Sequence, residues 1–568
     1  MIVSSLRWLA FALLVFVAAP GLGHARPGRA RPADVADWIQ LAEARRLAQD
    51  AGWHSLLHYR QQGLVTSSEV AAPEFFLAPG GRGDPAAELR ATLQAFTRPI
   101  DPADVDAHPL CRFPARRAWL ERRLPLAERL PQPSCPALSE YLQQIGTPEI
   151  GLVYAASSLS HPASAFGHTF LRLRPNGKQR GTVAGGLAAD FVADTDTDNP
   201  VLYAFKGLSG QFRGRFHLRA FESKRYEYAE EATRDLWEYQ LELRPEEIEL
   251  LVLHLWELTW AHIDYFYLTD NCSYQVLAAL DAAAPRLHLV ERSKQVVIPG
   301  DTVQALFAVP GLVSKTRHYP SAATRRLARR SRVAARFNRP PEKGHASSRL
   351  QLGSGAEIDR AEGFYAIGYR LALHDLADPA AGHPSLLQLQ ALDLEVRYLL
   401  DARKFVVERV VFAELMSLEP LGNGSLPWSW RLRAHGLRLR DGDCPGDGCF
   451  AHGADGGLGL TLATNDRSAA AFLLGSAQAL FSGQLDGIGG SFVRLGLGPT
   501  AGLRFELPAR ITVVVMGSFS YLPWQTQTTS YELEGHLRGA ASKNVALGVS
   551  AAAQPGAAEA RLNGYVYF

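Results

Sequence analysis

Hydrophobic and polar residues alternate regularly from about residue 346 to the end of the chain. In the segments 365–373, 392–398 and 428–433, every second residue is aromatic or large and aliphatic. Because side chains on a β-strand point alternately to its two faces, each segment has one apolar face. About 12 such segments, each of about ten residues, are typical of an antiparallel barrel whose outer face contacts lipid. The pattern therefore predicts a β-barrel over residues 346–568.

The last alternating segment, 560–568, runs to the end of the sequence and finishes on Phe568. A terminal aromatic residue after an alternating strand resembles the closing strand of bacterial outer-membrane barrels. A soluble β-sandwich also contains short alternating strands and is the competing interpretation. An export signal at the other end of the chain favours the membrane barrel.

Residues 1–25 have the pattern of a secretory signal peptide. Arg7 supplies a positive charge, an apolar run follows over residues 8–17, and small residues lead up to Ala25. An N-terminal membrane anchor is the alternative, but the apolar run is short for a bilayer and a Pro-Gly break follows it. We expect cleavage near Ala25. A transmembrane helix needs a run of about 18 apolar residues, and no other stretch of the sequence approaches that length.

The composition sets wide limits. A hydrophobic fraction of 47 % argues against disorder throughout the chain, and 568 residues suggest two or three domains. The formal net charge of +2 argues against a nucleic-acid partner for an exported protein.

Export makes the five cysteines informative, because disulfides form in oxidising compartments. Cys111 and Cys135 lie in one region rich in proline and arginine, and Cys444 and Cys449 flank a Pro-Gly-Asp-Gly turn. We expect a disulfide in each pair, which leaves Cys272 unpaired. A catalytic thiol is one interpretation of Cys272, and a buried inert cysteine is the other.

The pattern between the two ends predicts an α+β chain in several parts. Residues 26–140 are expected to form a mostly helical module, residues 145–314 a domain of mixed strands and helices, and residues 315–345 a linker rich in arginine. A solvated linker is one interpretation of that basic segment, and contact with anionic lipid headgroups is the other. Within the mixed domain, the predicted strands cover residues 151–155, 168–174, 182–190 and 226–243, and a helix begins at Pro245.

Cys272 follows a helix-start signal. Asp270 and Asn271 precede it, and the apolar run from Val276 to Leu280 has helical spacing. We expect Asn271 to cap the helix and the thiol to lie in its first turn. Unpaired backbone N–H groups and the positive end of the helix dipole favour a thiolate there.

A cysteine nucleophile needs a base, and histidine is the usual one. Among the 17 histidines, His168 has the best context, because it lies on a predicted strand directly after Gly167 and a loop of small residues. His161, in that loop, is a candidate third member or oxyanion donor, and Asp190 is another candidate to orient the base. His254 and His262 fall near the helix before Cys272 and fit packing roles better.

The blocks Ser160-His161-Pro162-Ala163-Ser164-Ala165-Phe166-Gly167-His168-Thr169-Phe170-Leu171-Arg172 and Tyr265-Phe266-Tyr267-Leu268-Thr269-Asp270-Asn271-Cys272-Ser273 carry a family resemblance. Together they resemble the two signature blocks of the Lnb-type lipoprotein N-acyltransferase periplasmic domain. That family is similar to the permuted papain-like enzymes, namely the NlpC/P60 and lecithin–retinol acyltransferase types, in which histidine precedes cysteine. The resemblance covers roughly residues 145–300. It implies Cys272 as nucleophile, His168 as base and an acyl-enzyme thioester as intermediate. The family's acyltransferases carry membrane helices after this domain, whereas this chain has the alternating segments.

These features predict a cysteine acyltransferase or acyl hydrolase of the cell envelope that acts on a phospholipid or lipoprotein. Its thiol domain is expected in the periplasm and its barrel in the outer membrane. The alternatives are a barrel-anchored module that binds envelope components without catalysis, and a peptidase or amidase of cell-wall peptide. No cofactor motif is present in the sequence. His161 and His168 have no acidic or sulfur ligand at a telling spacing, so we expect no metal site.

Overall fold

The computed structural model describes residues 32–159, 164–177, 181–293, 296–330, 339–422, 427–444, 448–485 and 492–568. The predicted signal peptide, residues 1–25, lies outside these described residues. Within them, none of the helices has the length and apolar character needed to cross a bilayer.

A helical layer forms the first part of the described chain. Its helices are α1 (Pro32–Ala44), α2 (Ala51–Leu56), α3 (Pro85–Ala95), α4 (Pro109–Arg112), α5 (Pro114–Glu121) and α6 (Pro136–Ile145). Five of these six helices begin with proline, whose fixed φ and missing N–H suit a first helical position. A hairpin of β1 (Tyr59–Gln62) and β2 (Val65–Ser68) lies between α2 and α3. The sequence pattern did not indicate it. The predicted Cys111–Cys135 disulfide is confirmed, with an S–S distance of 2.00 Å.

A seven-stranded antiparallel sheet follows, and its strands lie in the order β8-β6-β5-β4-β3-β7-β9. The strands are β3 (Pro148–Ala155), β4 (His168–Pro175), β5 (Leu187–Asp194), β6 (Phe212–Ala220), β7 (Leu236–Leu241), β8 (Ile263–Tyr265) and β9 (Val313–Tyr319). The helices between them are α7 (Pro200–Leu208), α8 (Phe221–Tyr226), α9 (Pro245–Thr259), α10 (Cys272–Ala283) and α11 (Pro299–Phe307), and α12 (Ala322–Arg330) follows β9. We refer to this sheet with its helices as the mixed domain.

Three predicted segments differ from the structure. The strand expected over residues 182–190 begins only at Leu187 and continues to Asp194. The strand expected over residues 226–243 is wrong for its first part, because α8 and a further helical turn occupy residues 221–231. Phe221, Lys224 and Tyr228 are all buried, and their spacing places them on one helical face. Residues 315–319 were expected in the basic linker but belong to β9, which pairs with β7 at the edge of the sheet.

The helical layer and the mixed domain share one hydrophobic core. A single cluster of buried residues extends from Trp38 in α1 to Leu312 before β9 and includes both faces of α9 and α10. All 12 residues of α10 are buried. The helix that begins at Cys272 is therefore held on every side, which fixes the position of its first residue.

The C-terminal part is a closed antiparallel barrel of 12 strands, in agreement with the prediction. The strands are β10 (Arg349–Glu357), β11 (Glu362–His374), β12 (Leu387–Leu399), β13 (Lys404–Ser417), β14 (Ser429–Leu439), β15 (Cys449–Ala463), β16 (Ala469–Phe481), β17 (Val493–Leu507), β18 (Ile511–Tyr521), β19 (Thr529–Ala540), β20 (Val545–Gln554) and β21 (Ala557–Tyr567). The barrel closes where β10 pairs with β21, from Arg349 opposite Tyr567 onward. The predicted Cys444–Cys449 disulfide is present as well.

The two faces of the barrel have opposite chemistry. On β11, Tyr365 and Ile367 are 58 and 56 % exposed, whereas Arg370 is fully buried. Buried arginines pair with carboxylates inside the barrel, for example Arg397 with Glu559 at 2.5 Å. An apolar outer band around a polar interior is the arrangement that a barrel in lipid requires.

The loop between β11 and β12, residues 375–386, folds into one mouth of the barrel, and we call it the plug loop. Asp375 accepts a hydrogen bond from Arg349 at 2.5 Å, and Asp378 accepts one from Arg370 at 2.6 Å. Apolar residues of the loop and of the barrel strands form a buried cluster: Leu376, Ala377, Leu386, Met416, Leu418, Ala470, Phe472, Leu474 and Val514.

The mixed domain sits against the same end of the barrel. The Ser347 hydroxyl donates to Asp301 at 2.5 Å, and the Tyr239 hydroxyl donates to Glu342 at 2.8 Å. Both contacts join the segment just before β10 to the mixed domain, so the domain is placed beside the membrane-embedded strands.

Candidate active site

A cleft of about 670 Å³ opens in the mixed domain, where β4 and β5 meet the start of α10. Cys272, His168 and Asn271 line it. Aromatic side chains form much of the remaining wall: Phe166, Tyr203, Tyr228, Tyr265 and Tyr267. The cleft therefore combines a thiol, an imidazole and an extended aromatic surface.

Asn271 is the N-cap of α10. Its Oδ1 accepts hydrogen bonds from two backbone N–H groups of the first helical turn, at 2.9 and 3.3 Å. Its Nδ2 donates to the backbone carbonyls of Tyr267 at 2.9 Å and Val297 at 2.7 Å. All four interactions are structural, so Asn271 positions the start of the helix.

Cys272 is the first residue of α10, and its thiol is free and buried. The N–H groups of a first helical turn and the positive end of the helix dipole stabilise negative charge. A thiolate at this position is favoured by the backbone before any side chain is considered.

His168 begins β4 and lies opposite Ala155 of β3. The preceding Gly167 has φ +88°, in the left-handed region that favours glycine, and a Cβ there would lie 3.1 Å from the carbonyl oxygen of Ala155. This turn brings the imidazole toward the start of α10. The ring also stacks on Tyr228, with ring centres 5.9 Å apart and planes inclined by 26°.

Asp190 on β5 completes the arrangement around the imidazole. Nε2 of His168 and Oδ1 of Asp190 are 2.5 Å apart, and Nζ of Lys224 lies 2.8 Å from Oδ2 of the same carboxylate. Asp190 and Lys224 are both buried. With Nε2 engaged by Asp190, Nδ1 is the ring nitrogen left to face the thiol. The structure thus places Asp190, one of the two candidates for the third member, next to the base.

The pKa shifts agree with a thiolate–imidazolium pair. Burial alone lowers the pKa of His168, but Cys272 and Asp190 outweigh it and raise the pKa to about 10. Burial alone raises the pKa of the Cys272 thiol, but His168 lowers it to about 7. Burial also raises the pKa of Asp190, yet His168 and Lys224 hold it well below its ordinary value. These directions favour the thiolate–imidazolium form of the pair over the neutral form.

Tyr265 is a site residue that the sequence reasoning missed. It lines the cleft together with Cys272. Burial, reinforced by the neighbouring Cys272, raises the pKa of Tyr265 well above its ordinary value, so the hydroxyl keeps its proton. Together with the N–H of Cys272 it can donate to an oxygen that develops negative charge near the sulfur.

The other histidines considered from the sequence have different positions. His161 lies outside the described residues. His254 is fully buried in α9 and lies 3.1 Å from His58, between Nε2 atoms, in the core shared with the helical layer. His262 does not line the cleft. Among the described residues, no group of histidine, cysteine, aspartate and glutamate side chains is arranged to hold a metal ion.

Lys224 could not be assigned a role from the sequence. It lies on α8, just before the segment predicted as a strand, and it reaches Asp190 because α8 packs against β5. Asp190 could be named as a candidate, because it follows an apolar strand segment. No spacing in the sequence indicated that Lys224 is its partner.

Comparison with known protein families agrees with this geometry. Residues 137–309 match the family model of the Lnb N-terminal periplasmic domain. The predicted Lnb-type domain, followed by an outer-membrane-type barrel, is therefore confirmed. Two further segments match domains of unknown function: residues 45–123 match DUF7843 and residues 338–567 match DUF7840. No curated protein matches the chain significantly.

Several solved structures are similar to the chain at low identity. The transport unit of the autotransporter AIDA-I from Escherichia coli is 12 % identical, with a TM-score of 0.20, and covers 39 % of this chain and 90 % of its own. The NanC porin is 8 % identical, with a TM-score of 0.26 and coverage of 39 and 98 %. The outer membrane protein Omp33 of Acinetobacter baumannii is 14 % identical, with a TM-score of 0.21 and coverage of 39 and 99 %.

The match to a periplasmic domain and the apolar outer face of the closed barrel define the location of the protein. It is a cell-envelope protein, with the barrel in the outer membrane and the Lnb-type domain in the periplasm, as predicted.

Proposed function

We propose that this protein is a cysteine-dependent acyltransferase or acyl hydrolase of the cell envelope, with Cys272 as nucleophile and His168 as base in a permuted papain-like arrangement. The observation that carries the proposal is the chain of contacts from Lys224 through Asp190 to His168, which lines one cleft with Cys272. A thiolate, an imidazolium and an orienting carboxylate are the groups that covalent acyl transfer requires.

The first half-reaction forms a thioester. The Cys272 thiolate attacks the carbonyl carbon of an acyl ester, and the N–H of Cys272 and the hydroxyl of Tyr265 donate to the resulting oxyanion. The tetrahedral intermediate collapses as the C–O bond to the leaving group breaks. The His168 imidazolium gives its proton to the departing alkoxide, which leaves as an alcohol.

The second half-reaction releases the acyl group. An amine or a water molecule attacks the thioester carbonyl while neutral His168 removes its proton. The C–S bond then breaks and the thiolate is regenerated beside the protonated imidazole. Asp190 holds the ring in the required orientation throughout and stabilises its positive charge.

The wall of the cleft favours an acyl substrate. Phe166, Tyr203 and Tyr267 present aromatic surface next to the thiol, and aromatic rings bury apolar chains well. A phospholipid or a lipoprotein of the adjacent leaflet would supply such a chain. The placement of the mixed domain against the barrel brings the cleft to the membrane that contains these lipids.

An activity-based probe with an acyl-type electrophile tests the proposal. We expect covalent labelling of the full-length wild-type protein, no labelling of Cys272→Ala and strongly reduced labelling of His168→Ala. Leu142→Ala, a substitution on α6 outside the cleft, is the matched control and should be labelled like the wild type.

Other outcomes would favour the other interpretations. Equal labelling of wild type and His168→Ala would remove His168 as base. A peptidyl rather than a fatty acyl adduct on Cys272 would indicate a cell-wall peptidase or amidase. Complete absence of labelling in folded protein would favour a binding module without catalysis.

A further inference from the structure

One lip of the cleft rests on the outer wall of the barrel. Ala165 and Ile298, which adjoin the cleft residues Phe166 and Pro299, are buried together with Leu387 and Leu389 of β12. These are contacts between the mixed domain and a membrane-spanning strand.

The direction of β12 side chains shows which wall is involved. Gln388 points inward, because its Oε1 accepts a hydrogen bond from the backbone N–H of Leu376 in the plug loop at 3.0 Å. Neighbouring side chains on a strand point to opposite faces, so Leu387 and Leu389 point outward. The cleft lip therefore covers part of the surface that lipid would otherwise contact.

The lipid-facing surface continues directly from this contact. Ala391 of β12 pairs with Ala413 of β13, and the adjoining Leu392 and Phe412 are 46 and 53 % exposed. Successive residues of a strand are about 3.3 Å apart, so exposed outer wall begins within about 10 Å of Leu389. The cleft thus opens at the boundary between the mixed domain and the membrane.

Another part of the cleft wall belongs to α7, a helix with an exposed apolar face. Leu202, Phe205 and Leu208 of α7 are 43, 60 and 57 % exposed and lie at spacings of three residues. Tyr203 of the same helix is buried and lines the cleft. An amphipathic helix with an apolar solvent face is the pattern of an element that lies in a membrane interface.

The helix is fixed to the catalytic loop. The backbone N–H of Tyr267 donates to the carbonyl oxygen of Gly207 at 2.9 Å, five residues before Cys272. Gly207 has no side chain to keep the helix away, because a Cβ there would lie 2.2 Å from the Tyr267 ring. Anything that binds the apolar face of α7 is thereby held close to the thiol.

We propose that α7 inserts Leu202, Phe205 and Leu208 into the periplasmic leaflet of the outer membrane, and that acyl chains reach Cys272 sideways, between α7 and the outer wall of the barrel. A lipid leaflet is the occupant because the apolar outer wall beside Leu389 is already a lipid surface and is continuous with the cleft lip. The substrate part of this proposal rests on the proposed acyl-transfer function, whereas the insertion of α7 does not.

Site-directed spin labelling tests the insertion without catalysis. Phe205→Cys in a Cys272→Ala background leaves one free thiol, since the other four cysteines form disulfides. The full chain is reconstituted into vesicles of phosphatidylethanolamine and phosphatidylglycerol and labelled with a nitroxide. We expect the nitroxide at position 205 to collide with lipid-soluble oxygen and to be protected from a water-soluble nickel chelate.

Leu142→Cys provides the matched control. Leu142 is a 37 % exposed leucine on α6, next to the start of β3, whereas the other end of β3 pairs with His168. Eight residues of β3 span about 26 Å, so a label at 142 should stay aqueous. Equal nickel accessibility at 205 and 142 would overturn the proposal. Protection at 205 that needs added envelope protein, or that rises with protein concentration, would indicate a protein partner or a second copy and would also overturn it.

A second measurement addresses the route of the acyl chain. Phe205→Glu should lower turnover of vesicle phospholipid by roughly tenfold, because a charged residue replaces an apolar one that the proposal places in the leaflet. Turnover of a water-soluble short-chain thioester should fall much less. An equal loss on both substrates would contradict lateral access. Wild-type protein without activity on either substrate would count against the acyl-transfer function, while the spin-label result would still decide the insertion.

Discussion

Burial alone opposes formation of the Cys272 thiolate, and two neighbours reverse that effect. His168 supplies the opposite charge, and the backbone of Thr169 also lowers the pKa of the thiol. Asp190 raises the pKa of the thiol directly, but it also raises the pKa of His168 and so keeps the imidazole protonated. The pair is stable as an ion pair only between the two pKa values, so reactivity of the thiol should depend on pH in a way that an isolated buried cysteine would not show.

We expect alkylation of Cys272 by iodoacetamide to rise with a midpoint near pH 7. The thiolate is the reactive form, and its fraction increases as pH rises through the lowered pKa. In His168→Ala the midpoint should rise toward the ordinary value of 9.0, because the largest effect that opposes burial is lost. A shift of two units corresponds to about a hundredfold lower rate at pH 7. Equal midpoints in the two proteins would refute the ion pair.

Asp190→Asn should lower acyl turnover by about 10²-fold, in the range of general acid–base effects. The amide keeps the shape of the carboxylate but cannot stabilise the imidazolium by charge. Lys224→Met should have a smaller effect, since Lys224 acts through Asp190. Steady-state turnover with matched protein amounts measures both variants. A Lys224 variant more impaired than the Asp190 variant would contradict this order of roles.

Sequence alone located the residues whose signals are local. Cys272 follows a capping asparagine, and His168 follows a glycine on an alternating strand, so both could be named in advance. Tyr265 and Lys224 act through contacts between separate elements. Such contacts leave no periodic pattern in the sequence. They form only when α8 and β8 pack around β5 and α10.

At the scale of elements, the start of α10 depends on one side chain. Asn271 caps the helix and also ties it to the backbone carbonyls of Tyr267 and Val297. The buried environment leaves no solvent to replace these four interactions. The position of the thiol relative to His168 therefore rests on this asparagine.

Asn271→Ala should destabilise the mixed domain. Loss of the cap costs about 1 kcal/mol, and each buried carbonyl left without its donor costs about 1–3 kcal/mol. Asn271→Asp keeps the capping oxygen but replaces the two donated bonds with a carboxylate oxygen facing two carbonyls, so it should destabilise the domain as well. Protection of the mixed domain against limited proteolysis in detergent-extracted protein measures the difference. Wild-type protection in Asn271→Ala would show that the cap is dispensable.

Elements with a strict period were predictable, and those with mixed signals were not. The strands of the barrel follow from alternation with a period of two, because lipid and the polar interior impose opposite requirements on successive residues. The segment 221–231 contains tyrosines and glutamates that fit a strand as well as a helix. It is helical in the structure, because the helix buries Phe221 and Tyr228 on one face. β9 could not be predicted from its basic sequence, because an edge strand with one exposed face needs few apolar residues.

At the scale of the whole molecule, a barrel with a polar, largely filled interior lies beside the mixed domain. The plug loop occupies the mouth next to the mixed domain, and Asp375 and Asp378 anchor it to arginines of β10 and β11. Farther inside, charged side chains of the strands surround a cavity of about 80 Å³. These features suit a platform that holds the mixed domain at the membrane.

The barrel should therefore conduct poorly. In planar lipid bilayers we expect the wild-type protein to show no steady ion conductance. Asp378→Ala removes one carboxylate partner of Arg370, which also binds Asp375, and should produce intermittent openings because the loop loses an anchor inside a polar interior. Phe412→Ala, a change on the outer wall, is the control and should behave as the wild type. Steady wild-type conductance would show that the loop does not seal the mouth.

The relation between the parts was the least predictable feature. Alternation, the signal peptide pattern and the Cys272 segment indicated a barrel, export and a thiol domain separately. None of them indicated that the cleft lip rests on Leu387 and Leu389, because that contact joins loops of one part to a strand of another. The position of the cleft beside the barrel wall could therefore not be predicted from the sequence.

The most direct test of the central claim is the mass of the acyl-enzyme itself. Full-length protein is incubated with vesicles of phospholipid carrying one defined fatty acyl chain, quenched in acid, digested and analysed by mass spectrometry. We predict a fatty acyl group on the peptide that contains Cys272, removed by neutral hydroxylamine as a thioester should be, and absent from Cys272→Ala. A Cys272 peptide that stays unmodified in folded wild-type protein, with phospholipid and lipoprotein donors alike, would contradict the account.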